Sequence, residues 1–213
     1  VMVHTEKGSV EAPVTPQVDP GAHIADPAPL GLAAFAMTTF VLSVFNAKLI
    51  SNTALEAVVL PLALFYGGLG QFMAGMWEFR KGNTFGALAF TSFGAFWLSF
   101  AAYVKFVEPG LGASAATATG LYLLAWTIFT AYMTVAAARV SGAVLAVFVF
   151  LTLTFLFLTI GTWAASPSMG KVGGWLGLVT AVLAWYASFA AVTNFTWKRS
   201  VLPLFPLSSA PHR

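Results

Sequence analysis

The chain contains no cysteine. Disulfides, thiol nucleophiles and thiolate metal sites are therefore excluded, and no redox compartment can be read from it. Histidine is almost as scarce: His4 and His23 precede the long apolar sequence and His212 follows it, so none is placed for chemistry inside it. Charge is the third shortage. Only 8% of residues are Asp, Glu, Lys or Arg, against 59% hydrophobic, where a soluble domain carries about 25% charge. A water-soluble fold could not cover so much apolar side chain with so little polar surface, so the sequence describes an integral membrane protein. Its apolar runs are long and unbroken rather than alternating, which selects helical spans over a barrel. The net charge of +3 does not point to nucleic acid, because the basic residues are scattered between the spans.

The few charges divide the chain into segments of the length a bilayer demands, about 20 residues each. Spans are expected over residues 27–47, 57–77, 85–104, 120–138, 142–165 and 172–195, with the Ser166-Pro167-Ser168 turn closing the fifth. The sequence thus predicts an all-α membrane protein of six helices. Residues 1–25 read as a disordered tail with no apolar run long enough for a signal peptide, residues 26–197 as one transmembrane domain, and residues 198–213, with three prolines, as an irregular second tail. An even number of spans puts both termini on one side. Lys7, Arg80, Lys81, Arg139, Lys198, Arg199 and Arg213 fall on that side, and only Lys48, Lys105 and Lys171 on the other. The positive-inside rule then makes both termini cytoplasmic and places the protein in the plasma or inner membrane.

All seven acids (Glu6, Glu11, Asp19, Asp26, Glu56, Glu78, Glu108) lie in tails, loops or span ends. An enzyme site in the membrane would want a metal cluster, a nucleophile–base pair or paired carboxylates. The spans hold none, so no catalytic residue, metal or cofactor is expected. What the spans do hold is neutral polarity. On the first, Phe35, Thr39, Leu42 and Asn46 fall on one stripe at helical spacing, beside Thr38; the second carries Tyr66 and Gln71; the third carries an aromatic stripe of Phe93, Phe96, Trp97 and Phe100. Single threonines usually serve interhelical hydrogen bonds, at about 0.6 kcal/mol each. Gln71 is harder to explain in that way, because a primary amide needs several partners. Gly67, Gly68, Gly70 and Gly75, and the overlapping pairs Gly170/Gly174 and Gly173/Gly177, mark places where helices approach closely, within a protomer or between protomers.

The polar tail gives way to the membrane at Asp26-Pro27-Ala28-Pro29-Leu30-Gly31-Leu32. Asp26 is suited to cap a helix whose first position is Pro27, with its carboxylate taking the amide of Ala28, since Pro29 has none. This opening motif, followed by Phe35, Met37-Thr38-Thr39, Phe65-Tyr66-Gly67-Gly68, Gly82-Asn83-Thr84-Phe85-Gly86, Phe90 to Trp97, Gly174-Trp175 and Val201-Leu202-Pro203, resembles the acetate uptake transporter family along all six spans. That family includes bacterial succinate–acetate permeases and fungal relatives associated with acetate and ammonia.

The resemblance implies a six-helix protomer in a hexameric ring, each protomer with its own path for acetate, succinate and related carboxylates. It also implies a three-residue constriction from the first, third and fifth spans, which here is Phe35, Phe93 and Leu151. Ala184 matches a small residue that influences which carboxylates pass. With the neutral polar groups, the expected path runs past Thr38, Thr39, Asn46, Tyr66, Gln71, Trp97 and Ala184. Two positions depart from the family pattern. Asp26 stands where Asn is usual, placing negative charge at a helix end that would otherwise attract an anion. Phe93 stands where Tyr is common, which removes a hydroxyl from the neck. With no titratable group at a span centre, channel-like or weakly proton-coupled transport is expected. Ammonium export and a non-transporting scaffold or sensor are the alternatives.

Overall fold

Entry into the first helix follows the chemistry of the opening motif. In a computed structural model, which describes residues 23–207, Asp26 Oδ1 accepts the amide of Ala28 at 3.2 Å, and regular helix α1 runs Ala28–Asn46. The capping bond is the expected one, while the helix starts one residue later than Pro27. Asp26 also meets Lys81 Nζ at 2.7 Å, so the charge that departs from the family pattern is tied to the end of the second span. Both partners are a third or more exposed, and such a pair contributes at most about 1 kcal/mol. Asp26→Asn keeps the cap and loses the pair, so its melting temperature in detergent should fall by no more than about 4 °C, measured by intrinsic fluorescence.

Six helical stretches are long and apolar enough to cross a membrane. The second is composite: a 3₁₀ turn Thr53–Val58 leads into α2 (Val59–Leu64), a π-helical segment Phe65–Gly70, and α3 (Gln71–Lys81). The π segment coincides with the glycine cluster, whose missing side chains let the backbone widen. α4 (Thr84–Ala102) follows after the motif Gly82-Asn83-Thr84-Phe85-Gly86. Gly82 closes α3 at φ 82°, a left-handed geometry that favours glycine, and Asn83 opens α4 by accepting the amide of Gly86 at 3.1 Å. A further π segment, Tyr103–Val107, extends the third span. α5 (Ala115–Ala137), α6 (Gly142–Trp163) and α7 (Pro167–Thr196) complete the bundle.

The junction at Ser166 differs from the sequence expectation. Rather than closing the fifth span, Ser166 caps α7 and Pro167 occupies its first turn, so the sixth helix starts five residues before the expected 172. α7 packs against both α1 and α6, α6 against α5, and α3 against α4. Small residues set the closest approach: a Cβ at Gly174 would fall on the backbone of Ala47, and one at Gly177 on the Ser43 hydroxyl. The glycine pairs thus pack helices within the protomer. The two ends of the described segment gather at one end of the bundle. Ser188 Oγ donates to Pro29 O at 2.7 Å, and Phe205 O accepts the amide of Gly142 at 2.7 Å. Residues 201–203 are held by Asn194 and Tyr186, whose hydroxyl donates to Pro203 O at 2.7 Å. Of the two expected tails, residues 1–22 and 208–213 lie outside the described residues, as do His4, His212, Lys7 and Arg213.

Candidate functional site: two cavities and a neck

The polar stripe of α1 and the aromatic stripe of α4 meet inside the bundle. Phe35, Thr39, Leu42, Ser43 and Asn46 line a cavity of about 500 Å³ together with Phe96, Trp97 and Phe100 of α4 and Leu151, Thr154 and Phe155 of α6. It lies toward the end opposite the termini, where Glu56, Tyr103, Glu108, Thr119 and Thr162 join its wall. A second cavity of about 90 Å³ lies toward the terminal end, bordered by Ala28, Leu32, Gln71, Asn83, Phe85, Gly86 and Phe148 among others. Phe35 and Leu151 border both cavities, and Phe93 borders the smaller. All three are buried. The Phe35 and Phe93 rings lie 5.8 Å apart, and Phe93 is held from behind by Phe129 at 5.3 Å and Trp126 at 5.9 Å. The partition between the cavities is thus apolar and aromatic.

Hydrogen bonding separates the packing threonines from the others. Thr38, Thr127, Thr130, Thr152, Thr154, Thr159 and Thr180 donate to carbonyls one turn back in their own helices, at 2.7–3.0 Å. Thr39 Oγ1, Trp97 Nε1 and Gln71 Oε1 are buried without a partner. Thr39 and Trp97 line the larger cavity and Gln71 the smaller. A buried polar atom left unpaired costs about 1–3 kcal/mol; these three belong to cavity-lining residues, whereas Thr91 Oγ1, also unpaired, packs against Gly75 away from both cavities.

Of the expected path residues, Thr39, Asn46, Gln71 and Trp97 therefore border a cavity. Thr38 does not, since it is packed against Gly67. Tyr66, in the π segment, and Ala184, in the apolar core, border neither cavity. From the opening motif Ala28 and Leu32 reach a cavity wall. Pro27 is buried, Pro29 receives the Ser188 hydroxyl, Leu30 is exposed, and Gly31 admits the Phe90 ring. Ser43, Glu56, Glu108 and Thr154 belong to the larger cavity although the sequence reading did not select them. Ser43 follows Thr39 by one turn and could have been found by extending the stripe. The two acids could not, because their approach depends on how the 3₁₀ turn and the second π segment fold inward.

The pattern of the GPR1/FUN34/yaaH family matches residues 9–209. The chain belongs to this family. It is 41% identical over 184 residues to the succinate-acetate/proton symporter SatP of Escherichia coli, covering 85% of this chain and 95% of that protein. It is 42% identical over 180 residues to ammonia transport outward protein 2 of Saccharomyces cerevisiae, covering 80% of this chain but only 62% of the yeast protein. Among solved structures, that of the bacterial acetate channel SatP superposes with a TM-score of 0.78 at 39% identity, over 85% of this chain and 99% of that one. The six apolar helices and this likeness together make the family member described here an all-α, multi-pass membrane protein.

Proposed function

We propose that this chain carries acetate and related small carboxylates, succinate among them, across a membrane through the two cavities of its own protomer. The observation that carries this reading is the pair of unpaired donors, Thr39 O–H and Trp97 N–H, in a cavity that ends at Phe35 and Leu151. Donors answer to a carboxylate's oxygens. Desolvating that anion costs several kcal/mol, and neutral donors offset the loss without a fixed cation that would trap it. The proteins it is similar to, named as a succinate-acetate symporter and an acetate channel, support the same substrate class. The likeness to an outward ammonia transporter supports a second reading, ammonium export. The Thr39 and Trp97 donors favour the carboxylate, while the aromatic wall and the acids Glu56 and Glu108 of the same cavity are the features that favour a cation. Uptake of labelled acetate into liposomes holding the purified chain decides between them. Acetate entry above protein-free liposomes is expected, and methylammonium flux without acetate flux would reverse the assignment.

In this reading the ends of the bundle that carry the termini face the cytoplasm, as seven basic residues against three require. Cysteine probes at Lys48 and Lys171 should react with an impermeant reagent from outside while a probe at Arg80 stays protected. The opposite pattern would invert the protein. The protomers assemble as a hexamer, supported by the family resemblance and by the exposed apolar row Leu121, Ile128 and Val135 on α5, free for neighbours or lipid.

A further inference from the structure

Glu78 lies at the end of the second span, where a charged residue is normally solvated, yet it is fully buried, and the Asn83 side-chain amide is the one hydrogen-bonding group beside its carboxyl, short of a well-formed bond. A carboxyl in that position cannot hold an isolated negative charge; it carries a proton or has a cation brought to it. The nearest charges are Lys81, on its own helix, and Asp26, ahead of α1, with the Asn83 amide beside it. Lys81 is already paired with Asp26; α1, α4 and α6 carry no titratable side chain, and α7 offers at this end only the Tyr186 phenol, which donates to Pro203 O. The carboxyl stands directly behind the smaller cavity. Gly86 and Asn83 form the wall there, and a Cβ at Gly86 would fall 2.9 Å from Glu78 Cδ and 3.1 Å from Oε1. Because Gly86 has no side chain, its backbone and the Asn83 amide are what stand between Glu78 and the cavity.

The rest of the path has a matching feature. The partition of Phe35, Phe93 and Leu151 is wholly apolar, and the two cavity walls carry the acids Glu56 and Glu108 but no Lys, Arg or His. Lys48 is the cation near Glu56. A bare carboxylate meets no counter-charge along this wall, whereas a neutral carboxylic acid passes the apolar partition at much lower desolvation cost.

We propose that the Glu78 carboxyl is the proton-binding site of this protein, taking up the proton of a carboxylic acid that has passed the neck. The inference rests on the carboxylate-transport reading above. In the step, the O–H bond of the acid breaks and an O–H bond forms at Glu78; the carboxylate leaves toward the terminal side, and Glu78 then releases the proton to water on that side. Acid and proton thus move together, and the sequence runs in reverse for export.

The test measures labelled acetate flux and electrical current on the same liposomes holding the full chain, with protein-free liposomes subtracted. For the parent, far less than one elementary charge should move per acetate. Glu78→Gln keeps the shape and removes the proton acceptor, so the acid that has crossed the partition cannot hand its proton on and acetate flux should fall about tenfold, with the assembled oligomer unchanged in size-exclusion chromatography. Equal acetate flux in the parent and the folded variant would overturn the proposal. Dicyclohexylcarbodiimide, which attacks protonated carboxyls in apolar surroundings, gives a second readout on the parent that does not depend on the variant folding. Modification of Glu78, fading as pH is raised, is expected by peptide mass spectrometry; a Glu78 peptide unmodified at every pH would overturn the proposal. A parent that carries no labelled acetate at all refutes the transport reading itself, and this proposal with it.

Discussion

Leu151→Ala should admit lactate and succinate about tenfold faster or more, since a methylene-sized change in a selective site is worth 10-fold or above, while acetate passage also quickens. Leu151 borders both cavities with Phe35, so shortening it opens the partition rather than a sealed core. In a packed core the same truncation costs about 2–5 kcal/mol, rising with the void left behind. Next to two existing cavities the vacated space can fill with water, and the cost should fall at the low end of that range. Phe93→Tyr acts differently. It leaves the width nearly unchanged and adds a hydroxyl on the side of the smaller cavity, so acetate affinity should change more than the size cutoff. Flux of a graded series of carboxylates through both variants checks the pair. A folded Leu151→Ala protein with the parent's size cutoff would place Leu151 outside the neck.

Gln71→Leu should lower acetate flux several-fold, because Oε1 can accept from the O–H of the acid and the loss of one such hydrogen bond is worth about 0.5–1.5 kcal/mol. Stability should stay level or rise. Gln71 is buried and its Oε1 has no partner, so the native amide pays a desolvation cost that leucine does not. An amide serving helix packing would give the reverse result, a destabilised protein whose folded fraction transports normally. Thermal unfolding in detergent, set beside flux per folded protomer, separates the two outcomes. The π segment that ends at Gly70 makes Gln71 the first residue of α3, and so decides which way its side chain is aimed.

Much of the path was legible because it follows single-helix periodicity. Phe35, Thr39, Leu42 and Asn46 form one stripe of α1, and Phe96, Trp97 and Phe100 one stripe of α4; both stripes line the larger cavity. Periodicity cannot say which side of a stripe a neighbouring residue falls on. Thr38, adjacent to Thr39, turns to Gly67 and bonds its own helix. Tyr66 lies where the helix widens into π geometry, and no 3.6-residue pattern describes that segment. The start of α7 was misplaced because Ser166-Pro167 reads equally as a stop for one helix and a cap for the next. Glu78 was the least legible. Its position at a span end, beside Arg80 and Lys81, suggests solvent, and only the packing of α3 on α4 through Gly75 and Gly86 shows that it is buried.

The central claim, that solute passes between the two cavities at the level of Phe35, Phe93 and Leu151, is tested most directly with a single thiol. The chain has no native cysteine, so Leu151→Cys introduces the only reactive sulfur. Acetate flux through this variant in liposomes should proceed until a small methanethiosulfonate reagent is added and then fall to the level of protein-free liposomes, with excess acetate slowing the reaction. A thiol that never reacts in the folded protein, or one that reacts fully while acetate flux continues unchanged, would contradict it.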